Sequence, residues 1–215
     1  MATRRIAIDA HQPDPAVIAE AAAVLRAGGL VAFPTETVYG LGAPAMDEAA
    51  VRRVFEAKGR PENKPLIIHL SRVEQVERVA RHVPDLAWGL MRRFFPGPLT
   101  LVLPRHLRVP DVVTAGGDTV GVRMPDHAVA HALIECLGEP LAAPSANRSG
   151  ARSAVSADEV LADLDGRIDL VLDAGPAPLR VPSTVLDLTS VPPRILRQGA
   201  LPAAEIRKWV PDLVE

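Results

Sequence analysis

The sequence predicts an α/β fold, a mixed sheet covered by helices. Three observations predict it. Short apolar runs of β type alternate with segments of helical periodicity along all 215 residues. Capping residues, prolines and glycines punctuate those segments where helices should start and stop. The connections are not uniformly strand–helix–strand, so parallel and antiparallel neighbours should share the sheet. No internal repeat, linker or boundary is visible, and one domain over 1–215 is expected.

The elements follow in order. Residues 5–8 read as a first strand. Asp14 can cap a helix over 15–26 that has Pro15 in its first position and Gly28-Gly29 as its stop. Residues 30–33 form a short buried strand. Asp47 can cap a second helix, with Val51, Val54 and Phe55 on one face and Lys58 at its end. Residues 66–70 read as a strand, and Ser71 with Glu74 has capping-box spacing for the next helix. A helix over 85–94 stops at Pro96, and 99–103 and 119–123 read as strands. After Asp126 a helix runs to Leu137, with Gly138 as its C-terminal stop. Residues 141–143 are a short strand, and Ser156 with Glu159 repeats the capping-box spacing. Strands over 168–172, 184–188 and 194–196 precede a last helix opened by Pro202.

Composition excludes several classes. A hydrophobic fraction of 48% is too high for a disordered chain. The only cysteine, Cys136, cannot form an intramolecular disulfide, which fits a reducing compartment. No apolar run approaches the roughly 18–20 residues of a membrane helix. Residues 1–11 lack the features of a signal peptide, so a cytoplasmic protein without membrane partners is expected. The net charge of −2 gives no global attraction to nucleic acid. Proline occurs 21 times, and only Lys58, Lys64 and Lys208 among the 24 basic residues are lysine. Few lysines beside abundant arginine and proline is a pattern that the base composition of a genome can impose.

The chemistry should lie on loops beyond strand ends. Residues 34–42, PTETVYGLG, pack hydroxyls, a carboxylate and a phenol between a proline and two glycines. They read either as a polar turn or as a ligand loop whose glycines admit close backbone approach. Lys58, Arg60 and Lys64 lie within seven residues. A helix C-terminus with a solvated turn explains Lys58. A polyphosphate site explains all three, since each cation about 4 Å from a phosphate charge offers roughly 4 kcal/mol at an effective dielectric of 20. Residues 94–100 are a stiff turn that either walls a pocket or joins two elements. Arg123 ends a strand before Met124-Pro125 and suits a carboxylate or phosphate clamp, or a surface salt bridge. Residues 142–150 combine small side chains with Ser145 and Asn147, without the pattern of a nucleophile elbow. Ser183-Thr184 enters a strand and Arg197 lies beyond another. His127 and His131 are spaced as helical metal ligands, but Ala128 stands where the zincin glutamate would be, so no metal site is expected.

Taken together, PTETVYGLG at 34–42, KGRP with Lys64-Pro65, PGPLT at 96–100, TVGVRMP at 119–125, PSAN at 144–147 and Ser183-Thr184 resemble the YrdC-like family of threonylcarbamoyl-AMP synthases. The resemblance runs from about residue 16 to 207, and the chain is similar to the family's short form. It implies a twisted open α/β sheet with a concave basic face. It implies that L-threonine, bicarbonate and ATP, with Mg²⁺ accompanying the ATP, give L-threonylcarbamoyl-AMP and pyrophosphate. A separate transferase would then place the threonylcarbamoyl group on adenosine 37 of tRNA. The family's catalytic tetrad matches Lys58, Arg60, Ser145 and Asn147. By position, Arg60, Lys64, Thr119, Ser145, Ser153 and Arg197 would contact ATP, and Thr37, His69, Arg123, Ala143 and Ser183 would contact threonine. Arg123 would hold the threonine carboxylate as a fork. Two other readings stay open: a double-stranded RNA or tRNA-binding module of the same fold without catalysis, and a different carbamoyl-adenylate enzyme like the related domain of hydrogenase maturation proteins.

Overall fold

A computed structural model of the chain describes residues 2–215. The strands are β1 (Arg4–Ala7), β2 (Val31–Phe33), β3 (Gly40–Pro44), β4 (Ile67–His69), β5 (Leu99–Pro104), β6 (Thr119–Arg123), β7 (Leu141–Ala142), β8 (Leu170–Asp173), β9 (Thr184–Asp187) and β10 (Arg194–Arg197). They form one open, twisted sheet in the order β1-β8-β2-β3-β7-β4-β6-β5-β9-β10. The sheet is mixed. β1, β8 and β2 run parallel, β3 and β7 are antiparallel to their neighbours, and the β4–β6 and β5–β9 pairs are parallel again.

The helices are α1 (Pro15–Arg26), α2 (Glu48–Lys58), α3 (Val76–Val79), α4 (Asp85–Phe94), α5 (Asp111–Thr114), α6 (Ala128–Leu137), α7 (Ala157–Leu164) and α8 (Ala203–Arg207). Their ends follow the caps. The Asp14 and Asp47 carboxylates accept from the backbone N–H groups of Ala16 at 2.8 Å and Ala50 at 3.0 Å. Gly59 and Gly138 close α2 and α6 in the left-handed conformation, which costs a glycine little.

Side-chain alternation splits the core. Leu30, Ala32, Leu41, Ile68, Leu101 and Val122 point to one face and pack beneath α2, α3, α4, α5, α7 and α8. Val31, Phe33, Leu141, Leu170 and Leu172 point to the other, beneath α1 and α6. Those two helices cover only the β1-to-β7 half of their face. The remaining strands present Ile67, His69, Gly121, Arg123 and Thr100 there, with no helix above them among the described residues.

Three local expectations differ from the structure. The Gly40-Leu41-Gly42 segment is strand β3, not loop. A Cβ on Gly40 or Gly42 would come within 3.0 Å of the Phe33 ring, so these glycines make room for that ring, and Gly40 also lines the cavity described below. Residues after Ser71 form a short 3-10 turn and the four-residue α3, and it is the Gln75 side chain, not Glu74, that accepts from the Ser71 and Arg72 N–H groups. Helix α5 had no signal beyond Asp111 after a proline. In the Ser156–Glu159 pair, the glutamate reaches one residue further back, to the Val155 N–H at 2.9 Å.

Candidate active site

A cavity of about 150 Å³ opens on the uncovered half of the sheet. Its floor is Ile67 and His69 of β4 and Arg123 of β6, which the parallel register sets side by side. Ala143 and Ser145 lead away from β7 along one wall with Pro144 between them. Arg60 and Pro65 come from the α2–β4 connection. Thr35 and residues 38–40 of the segment after β2 form another wall, and Ser153, Pro182, Ser183 and Arg197 close the rest. The prolines at 65, 144 and 182 restrict backbone freedom at the wall.

Arg123 is 4% exposed, and its Nη2 donates to Glu36 Oε2 at 2.6 Å. Its Nε donates to the Gly97 carbonyl at 3.2 Å, so the stiff 96–100 turn holds the arginine from behind. The fork expected for a ligand carboxylate is therefore engaged at two of its three nitrogens. Glu36 is the residue that sequence reasoning missed. It was visible as the one carboxylate in the 34–42 segment, directly after a buried strand. Its Oε1 is buried with no partner, as is His69 Nδ1. His69 meets the Phe33 ring edge-on at 6.0 Å. Burial and the nearby Arg123 charge lower its pKa to about 3, so the ring is neutral at physiological pH.

The hydroxyl of Ser183 sits 2.8 Å from Thr100 Oγ1 and 3.2 Å from Arg197 Nη2. Arg197 is anchored further by two donations to the Ser183 carbonyl, at 3.1 and 2.9 Å. Burial lowers the Arg197 pKa, and Arg123 and Arg60 add to the effect. Arg60 is likewise lowered by burial and is braced on the Lys64 and Pro65 carbonyls at 3.2 and 3.0 Å. The cavity thus holds three guanidinium groups, two of which bear on the third at Arg197, and the Glu36 carboxylate is already committed to Arg123.

The other sequence-predicted residues lie off the cavity wall. Thr37 is fully buried, with its hydroxyl 2.9 Å from that of Thr35, which organises the 35–38 turn through the Val38 N–H at 3.2 Å. Thr119 is exposed at the start of β6, on the same face as Arg123 by alternation. Lys64 is exposed, whereas Lys58 is only 2% exposed, so the two lysines differ in their surroundings. Lys58 Nζ donates to the carbonyls of Ser145 and Asn147. Burial first, and the Arg60 charge second, lower its pKa to about 7, with Asp163 opposing. Asn147 donates to the Arg148 and Ala151 carbonyls at 2.8 and 2.9 Å. Among the described residues no group of three or more His, Cys, Asp or Glu side chains could hold a metal ion.

A polar amino-acid-sized floor beside clustered guanidinium groups suits a small zwitterion next to a polyanion. The family model for Sua5, YciO and YrdC proteins, described as telomere recombination, matches residues 23–199. A threonylcarbamoyl-AMP synthase of Pyrococcus abyssi is 55% identical over 193 residues, which is 90% of this chain and 57% of that protein. A putative threonylcarbamoyl-AMP synthase of Mycobacterium leprae is 41% identical over 203 residues, 92% of this chain and 90% of that protein. The crystal structure of P. abyssi Sua5 complexed with L-threonine superposes with a TM-score of 0.96 at 51% identity, over 99% of this chain and 63% of that one. The chain therefore spans little more than half the length of the P. abyssi relative.

Proposed function

Because the chain belongs to the Sua5/YciO/YrdC family, we propose that it is an L-threonylcarbamoyladenylate synthase, a nucleotidyltransferase acting on L-threonine, bicarbonate and ATP. The observation that carries this reading is the cavity itself, where His69, Arg123 and Ser183 adjoin the under-neutralised Arg60 and Arg197. An anionic ligand relieves the repulsion among those guanidinium groups.

The chemistry needs positioning and charge neutralisation rather than a protein nucleophile. Threonine's amine condenses with bicarbonate, losing water, to give a carbamate. A carbamate oxygen attacks the α-phosphorus of ATP. The new P–O bond forms as the bond to the bridging β-phosphate oxygen breaks, and pyrophosphate leaves. In this reading Arg60 and Arg197 face the phosphates, with Lys64, Ser153 and Thr119 at the rim and Ser145 on the wall. Arg123 offers the threonine carboxylate its remaining N–H groups as a single-sided contact. His69 acts as a neutral hydrogen-bonding partner, and Ala143 lets the backbone approach. Mg²⁺ enters as part of the nucleotide substrate.

In this reading the uncovered sheet half, with Arg60, Arg123 and Arg197 at its cavity, would serve as the basic face that the family resemblance implies. The product would pass to a separate transferase acting on adenosine 37 of tRNA, in the cytoplasm. A double-stranded RNA-binding module without catalysis is not favoured, since such a module has no need of the buried threonine-sized floor. The test is pyrophosphate release. It should require ATP, bicarbonate and L-threonine together, and absence of release with all three present refutes the proposal. Release with carbamoyl phosphate in place of threonine and bicarbonate would instead indicate a different carbamoyl-adenylate enzyme.

A further inference from the structure

The four residues Lys58, Arg60, Ser145 and Asn147 divide into two kinds. Arg60 and Ser145 line the cavity, whereas Lys58 and Asn147 do not. Every described polar contact of the Lys58 side chain goes to main-chain carbonyls of the loop between β7 and α7, at Ser145 and Asn147. The main chain of the same residue takes a third contact, because the Lys58 carbonyl accepts from the Ser149 N–H at 2.8 Å. One residue at the C-terminal end of α2 thus grips the loop at three points. Asn147 grips the loop from within, donating to the carbonyls of Arg148 and Ala151. The Arg148 N–H is held in turn by Asp163 of α7 at 3.0 Å.

The loop's other side is fixed by the sheet, through Leu41 N–H to the Pro144 carbonyl at 2.9 Å and Ala146 N–H to the Tyr39 carbonyl at 2.8 Å. Between these two sets of bonds lies Ser145, whose hydroxyl makes no hydrogen bond among the described residues and whose residue lines the cavity. A loop of small residues has little side-chain packing to define its shape, so the fixed carbonyls define it.

We propose that Lys58 and Asn147 are positioning residues that act on the reaction through the 144–151 loop, setting the place of Ser145, and that neither touches the nucleotide. A lysine suits the task because a compact ammonium with three donors can serve several carbonyls at once. This inference rests on the synthase reading for its consequence but not for its test.

The test has two arms. In the ligand-free protein, Lys58→Met should accelerate amide hydrogen exchange at residues 145–149 at least tenfold while leaving β2 and β8 unchanged. Asn147→Ala should do the same at 148–151. Both measurements need no substrate, so they decide the loop role whether or not the chain makes the adenylate. In the pyrophosphate assay, Lys58→Met should raise KM for ATP about tenfold and KM for threonine less than threefold. Adding Ser145→Ala to it should bring less than a twofold further loss in kcat/KM, although Ser145→Ala alone brings a larger one. Unchanged exchange in the loop overturns the proposal. So does full multiplication of the Lys58 and Ser145 effects, which would mean independent contacts with the nucleotide. If Lys58→Met fails to fold, the exchange pattern of Asn147→Ala decides alone.

Discussion

The buried pair between Glu36 and Arg123 lends itself to a quantitative test. Glu36→Gln keeps the side chain's shape and removes its charge. Glu36 is 7% exposed and Arg123 4%, and their 2.6 Å contact is the closest charge compensation for that guanidinium. Without it, Arg123 stays buried beside Arg60 and Arg197, with no other carboxylate in reach to replace Glu36 among the described ion pairs. Removing one partner of a buried pair costs about 3–5 kcal/mol. In a domain of this size each kcal/mol lowers Tm by about 2–4 °C, so a fall of at least about 6 °C is expected. Urea unfolding at pH 7 of wild type, Glu36→Gln, Arg123→Gln and the double variant gives the coupling directly. The double variant should be more stable than Glu36→Gln alone, because it no longer buries an uncompensated charge. A loss below about 1 kcal/mol for Glu36→Gln, against the range expected for buried pairs, or a double variant that is no more stable, would refute the reasoning.

Four further outcomes follow from the site. Arg60→Ala should weaken ATP binding by calorimetry about tenfold or more, the worth of one charge-assisted hydrogen bond, with the circular-dichroism spectrum unchanged. Ser183→Ala should raise KM for threonine more than KM for ATP, because Arg197 keeps both bonds to the Ser183 carbonyl and loses only the contact with the hydroxyl; equal rises contradict the assignment. Gly199→Ala should destabilise by about 1–3 kcal/mol in urea and weaken threonine binding, since its Cβ would collide with the Pro182–Ser183 backbone that walls the cavity. His69 has a folded pKa of about 3 against an ordinary 6.5, so the unfolded chain binds the extra proton between those values and stability rises with pH across that window. His127, lowered to about 4, adds a slope of the same sign. His69→Gln should flatten the rise by its share, and an unaltered slope means that His69 is not held neutral.

Much of the fold could be read from punctuation. Asp14, Asp47 and Gly138 mark helix ends because capping is local chemistry, satisfied within a few residues of chain. Strand β3 escaped because two glycines in five residues read as a loop. Their reason is a cross-strand one, the Phe33 ring lying over them. The site's residues could be located by loop and strand end, but not their division of labour. Lys58 and Lys64 look alike as charges six residues apart. Yet Lys58 falls seven residues after Val51, four after Val54 and three after Phe55, on the stripe that α2 buries. That spacing was the available signal for a buried lysine, and its positive charge argued the other way. Glu36 and Arg123 belong to segments 87 residues apart, so their pairing is a tertiary fact with no local trace.

The strand order has a consequence for how the protein is born. β2 waits for β8 as its parallel neighbour and β3 waits for β7, while the cavity wall runs from Thr35 to Arg197. At ribosomal speeds of about 5–20 residues per second, roughly ten to thirty seconds separate the first wall residue from the last. Throughout that interval the nascent chain carries the apolar faces of β2 and β3 without the strands that complete them. Its dependence on holding chaperones, and its sensitivity to a ribosome stalled before β9, should be greater than for a sheet laid down in chain order.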